Sequence, residues 1–185
     1  MKKLITICLI LITAINSQAQ QKLKELCDCP RPKGGKFIDF CILVENQDIN
    51  YQKKLMEMAC VDQKIDSPET IKAKVKCMFE KYYAEFDCDG DGFTPPHGNV
   101  LKYSIHLGFD YFIDGVVRLY GLNLNIVDPA DGKTLLDFIL DQINMYKKYS
   151  DYKDKAPDAL RRVKGLEDKY NHYKNDFGAK HAKDL

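Results

Sequence analysis

Six of the seven cysteines in this chain fall between Cys27 and Cys88, and none follows. That asymmetry constrains the fold more than any other feature, because cross-links brace only the part of the chain that carries them. The even set Cys27, Cys29, Cys41, Cys60, Cys77 and Cys88 reads as disulfides if the chain matures in an oxidising compartment. Parity leaves the pairing open, although Cys27 and Cys29 are expected to bond to different partners. A zinc reading of the CDC run at 27–29 lacks both a second cysteine pair and a nearby histidine.

The compartment is read from the N-terminus. Lys2 and Lys3 precede LITICLILITAI, an apolar run short for a membrane span, and Ser17-Gln18-Ala19 supplies the small residues a signal peptidase reads. Residues 1–19 are therefore expected to be a bacterial signal peptide, leaving residues 20–185 as one periplasmic or secreted domain with no membrane insertion after cleavage. Cys8 lies inside the apolar run, and no small-residue lipobox precedes Cys27. With 28 basic and 27 acidic residues, the chain lacks the charge of an electrostatic nucleic-acid binder.

Apolar periodicity points to an all-α fold, with a cysteine-rich helical part (27–94), a middle part (95–150) and a C-terminal helix and tail (151–185). KFIDFCILVEN fits either helix or strand, and its length does not decide between them. In DINYQKKLMEMACV, Asp48 is a candidate N-cap, with Tyr51, Leu55, Met58 and Ala59 on one face. Ser67 caps the next helix, Pro68 suits its first position, and Ile71, Val75, Met78, Tyr82 and Phe86 form its stripe. Thr134 is expected to open a helix through about Tyr149, burying Leu135, Phe138, Ile139 and Ile143. Pro157 opens another, with Leu160, Val163, Leu166, Tyr170 and Tyr173 inward. The tail GAKHAKDL is expected to fray.

The middle part contains a repeat. GNVLKYSI at 98–105 and GKTLLDFI at 132–139 share Gly, Leu and Ile at an offset of 34. Between them, Gly108 breaks a helix pair, a second helix spans about 110–120, and Gly121 ends it before Asn125 and Asp128. Residues 95–143 thus resemble a degenerate ankyrin repeat: Gly121 and Asn125 match its turn, and Gly132, Thr134 and Leu135 match the opening of the next unit. Lys102 stands where the family has His, and Asp137 departs likewise. The resemblance implies a protein-binding scaffold with an ankyrin-like helix pair, flanked by irregular helical caps. Leu101, Ile105, Phe112, Val116 and Leu119 would pack within the pair.

Residues 87–98, DCDGDGFTPPHG, hold the one metal candidate. Asp87, Asp89, Asp91 and Gly92 fit positions 1, 3, 5 and 6 of a calcium loop, but position 12 is Gly98 where a bidentate Glu is required. A polar turn explains most of the stretch, and calcium binding would need a ligand from elsewhere. The four histidines lack metal spacing, and no HExxH, GxSxG or phosphate-binding glycine loop occurs. The sequence gives no catalytic set. Eleven Tyr and nine Phe make contact surfaces the better lead, with Tyr103, His106, Phe109 and Tyr111 the candidate partner-binding residues and Tyr120 a further aromatic expected at the surface. The expectation is an exported protein-binding module, in its sharpest form an immunity protein that neutralises a toxin effector. A calcium-dependent adhesion module and an envelope-polymer hydrolase are the alternatives.

Overall fold

The computed structural model describes residues 29–88, 99–150 and 156–185. Seven α-helices carry the architecture: α1 Gly34–Glu45, α2 Tyr51–Met58, α3 Pro68–Lys81, α4 Val100–Leu107, α5 Asp110–Tyr120, α6 Leu135–Tyr149 and α7 Ala156–Asp176. Among the described residues there are only two isolated β-bridges and no strand. The fold is all-α. The residues of the expected signal peptide, Cys27, Asp89 and Asp91 lie outside the described residues.

Local chemistry explains several helix ends. The Ser67 hydroxyl accepts the Thr70 amide, with Pro68 at the first position of α3. Gly108 and Gly121 follow α4 and α5 in the left-handed region, φ +76° and +65°, a conformation in which a Cβ is costly. Thr134 and Asp137 form a reciprocal capping box at the start of α6. Asp48 does not cap α2; its carboxylate accepts the Asn50 amide in a tight turn, and the helix begins at Tyr51. The apolar stretch left undecided by length is α1.

Helices α1, α2 and α3 pack in succession. Next, α4 lies against α1 and α5 against α3, while α4 also reaches α6, and α6 and α7 form the most extensive pair. The core begins as an aromatic chain. Phe79 stacks on Phe86 at 4.4 Å, Phe37 meets Phe86 edge-on at 5.0 Å, and Phe40 joins Phe86 to Phe112. Burial follows the expected stripes with instructive exceptions. Leu119 and Leu160 are exposed instead of packed, and Phe79, outside the expected stripe of α3, is buried.

Two disulfides brace this region: Cys29–Cys60 and Cys41–Cys88. Cys77 is also disulfide-bonded. Cys41–Cys88 ties α1 to the segment after α3, and the Val100 amide donates to the Phe86 carbonyl at 2.8 Å beside an Asp87–Asn99 bridge. The two ends of the acidic stretch are thus clamped together. Disulfides of this kind belong to an oxidising, export-type environment. No helix among the described residues is long and apolar enough to cross a membrane.

The C-terminal tail is packed, contrary to the fraying expected of it. Gly178 turns the chain back from α7, Ala179 is buried, and the Lys180 amide donates to the Asn125 side chain at 2.7 Å. A tail frays when its backbone groups have no partners; here they have them.

Candidate partner-binding surface

The expected partner-binding residues separate on folding. Tyr103 is buried, its hydroxyl bonded to Glu45 and burial pushing its pKa up. Phe109 and Tyr120 are also buried, so Tyr111, 83% exposed, is the member of this aromatic group that reaches solvent. The reason is the length of the pattern: α5 is a single short helix whose inward face takes Phe112, Ile113 and Val116, leaving position 111 on the outside.

Tyr111 stands at the rim of an open groove of about 630 Å³ between the α1–α2 loop and α5. Ile49 on the loop and Leu119 on α5 flank it, 75% and 49% exposed. The floor is rigid. Tyr51 and Phe109 lie edge to face at 6.1 Å, and both contact Phe112 at the end of the aromatic chain. Gly115 makes this floor possible: a Cβ there would come within 2.3 Å of the Tyr51 hydroxyl oxygen. Any larger residue would drive Tyr51 out from beneath α5.

The far edge of the groove is polar and is held by the C-terminal region. Asp114 faces His172 Nε2 at 3.3 Å, and His172 Nδ1 meets Asp176 at 2.6 Å. The bond to Asp176 raises the His172 pKa, against a smaller opposing effect of burial, and Asp114 adds to the rise. Arg118 lies over the Phe177 ring at 5.2 Å. The groove therefore has a hydrophobic rim on one side and an anchored charged rim on the other.

His106 belongs to a second groove, between α6, α7 and the end of α4, of about 930 Å³. Arg162 on α7 sits at its edge and donates from one Nη to the carbonyls of Ile105 and His106, at 3.0 and 2.6 Å. This places a cation on the last carbonyls of α4, where the helix dipole favours it. The last turn of α4 thus reaches the second groove through His106, and the residue before α5 reaches the first through Phe109.

Sequence reading missed two polar clusters. Lys102, at the position that departs from the ankyrin pattern, is buried and bonds Asp128 and Asp131, each at 2.8 Å. Burial is the largest single effect and opposes ionisation of Asp128, but the bond and charge of Lys102 together with the Ala130 and Asn99 amides outweigh it and hold the carboxyl below its ordinary range. The second cluster links Tyr170, His181 and Asp137. The Tyr170 hydroxyl lies 2.8 Å from His181 Nε2, and His181 Nδ1 lies 2.6 Å from Asp137. Its order resembles a proton relay, but it lines neither groove, and Asp137 also accepts from the Ala182 and Thr134 amides. It fastens the tail to α6. Scattered histidines with no spacing rule give no signal of the second cluster, and the first joins Lys102 to carboxylates 26 and 29 residues away.

Of the calcium candidates, Asp87 is exposed and bridged through its backbone to Asn99, with Asp89 and Asp91 beyond the described residues. Among the described residues no group of three or more His, Cys, Asp or Glu side chains is placed to hold a metal ion. No protein-family model, no curated protein and no solved structure matches this chain.

Proposed function

We propose that this chain is an exported protein-binding module whose docking surface is the groove rimmed by Ile49, Tyr111 and Leu119, and that its partner is a toxin effector, which makes it an immunity protein. The observation that carries the reading is the grouping of three large apolar side chains in solvent around one groove with a buried aromatic floor. Single exposed apolar residues are ordinary, whereas several around a rigid concavity mark contact surfaces. Tyrosine at such a rim supplies contact area with few rotors to freeze. The resemblance of residues 95–143 to an ankyrin repeat points to the same reading, since it implies a protein-binding scaffold, and α5 forms one wall of the groove. The toxin as partner follows from the signal-peptide reading and the chain's size.

The test is a growth and binding assay. The product of the gene beside this one is directed to the periplasm with and without this chain. Rescue of growth and a stable complex are expected, with Ile49→Asp and Tyr111→Ala each lowering affinity at least tenfold. A neighbouring product that is neither toxic nor bound ends the immunity reading. Full binding by both variants removes the groove.

A further inference from the structure

The second groove carries a different chemistry. Its wall on α7 runs from Arg161 and Arg162 past Gly165, and its wall on α6 is made by Tyr146 and Tyr149. Gly165 is the informative residue. It lies inside a 21-residue helix, where glycine weakens the structure relative to alanine. Nothing lies within 4 Å of where its Cβ would be, and its φ is not in the left-handed region. The fold has no steric or conformational need for glycine here, yet its missing side chain keeps the groove open.

The arginines are set for an anion. Arg162 is held by two carbonyls and lies 5.8 Å from the Tyr146 ring centroid, so its guanidinium is oriented before any ligand arrives. Its Nε is buried with no hydrogen-bond acceptor among the described residues, which leaves the group short of partners. Arg161 pairs with Asp158 at 2.9 Å, but both side chains are more than four-fifths exposed. Such a pair holds weakly, and an incoming carboxylate competes with Asp158 at little cost.

We infer that this groove binds an acidic peptide segment, with one carboxylate at Arg161 and Arg162 and a neighbouring apolar side chain between Tyr146, Tyr149 and the gap at Gly165. A volume of about 930 Å³ accommodates a few residues of extended chain. Arginine forks match carboxylates, and the tyrosine faces match a flat or branched apolar side chain. A long polyanion is less well served, because the chain as a whole carries a formal charge of only +1 and the groove lining includes Asp158. This inference rests on the protein-binding reading for the class of ligand, and its test uses a probe other than the toxin.

The probe is a capped Glu-Glu-Phe-Glu-Glu peptide, titrated into the full mature chain and followed by backbone amide NMR. Shifts are expected at Tyr146, Tyr149, Arg161 and Gly165, with saturation. Arg161→Glu is expected to weaken binding at least tenfold. Gly165→Leu, which fills the gap and leaves every charge in place, is expected to abolish it while the melting temperature stays at or above that of the parent. Shifts confined to the Tyr111 groove, or no saturable shifts, overturn the inference. So does equal binding of a Glu-Glu-Ser-Glu-Glu peptide, of inorganic phosphate or of a sulfated glycan, since each would show a site that reads charge alone. Failure of the peptide with an intact Ile49- and Tyr111-dependent complex would sink this inference and leave the proposed function standing.

Discussion

Residues 29–88 are held by covalent links around a group of phenylalanines, whereas residues 99–185 contain no cysteine and are tied by caps, buried carboxylates and a returning tail. The difference follows from what each half can bury. In the N-terminal half, α2 has eight residues, and three of them, Tyr51, Leu55 and Met58, are buried. Short helices of this kind are marginal without tertiary support, and cross-links lower the entropy of the alternative. In the C-terminal half, α6 and α7 are long enough to form an extensive antiparallel face, and polar groups need only fix their ends. One half should therefore answer to redox conditions and the other to pH.

The largest effect is expected from Cys41→Ser combined with Cys88→Ser. Opening a link across 47 residues costs about 4 kcal/mol in the chain-entropy account, a fall in melting temperature of roughly 10 °C for a chain of this size. Calorimetry with and without reductant measures it. A loss below about 1 kcal/mol would break the comparison, because the aromatic cluster alone would then order the N-terminal half.

Next comes the buried cation. Lys102→Met strands Asp128, whose side chain is 4% exposed, and should cost about 3 kcal/mol in urea unfolding. Adding Asp128→Asn should restore most of the loss, since the amide oxygen still accepts the Ala130 amide without a buried charge. If the double variant is no better than the single one, Lys102 acts through packing, and the polar account of this half fails. Either result should leave the response to reductant unchanged.

How far the sequence discloses this architecture depends on the range of the interaction. The ends of α3, α4, α5 and α6 are written locally, in Ser67-Pro68, Gly108, Gly121 and Thr134, because capping uses neighbours within a turn. Cysteine number and placement give the presence of disulfides in the N-terminal half, but pairing is a matter of spatial proximity. Asp137 is the sharpest failure. In sequence it is a departure from a repeat pattern, yet in space it caps α6 and receives His181 and Ala182 from 44 and 45 residues away. The candidate surface divides in the same way. Tyr111 is legible as an aromatic on a short helix, while Ile49 and Leu119 become part of one groove only after Tyr51 of α2 has packed beneath α5. Leu119 and Leu160 match the helical period yet are exposed, so periodicity overstates burial there.

The smallest of these effects turns on that same Asp137. Burial raises the cost of its ionised form, but the amides of Ala182 and Thr134, together with His181 and the Thr134 hydroxyl, outweigh it and hold the carboxyl at about 2. A carboxyl depressed below its unfolded value of 3.8 adds stability that is complete above roughly pH 4 and is lost as pH falls through 2. The side chain is 22% exposed, so most of that shift counts, about 2 kcal/mol. Asp137→Asn should therefore lower the melting temperature at pH 6 and converge on the parent near pH 2. A gap that persists at pH 2 would assign the loss to geometry instead of charge. The tail would then be fastened by hydrogen bonds indifferent to ionisation, and the contrast between a redox-held half and a pH-held half would reduce to one between covalent and noncovalent ties.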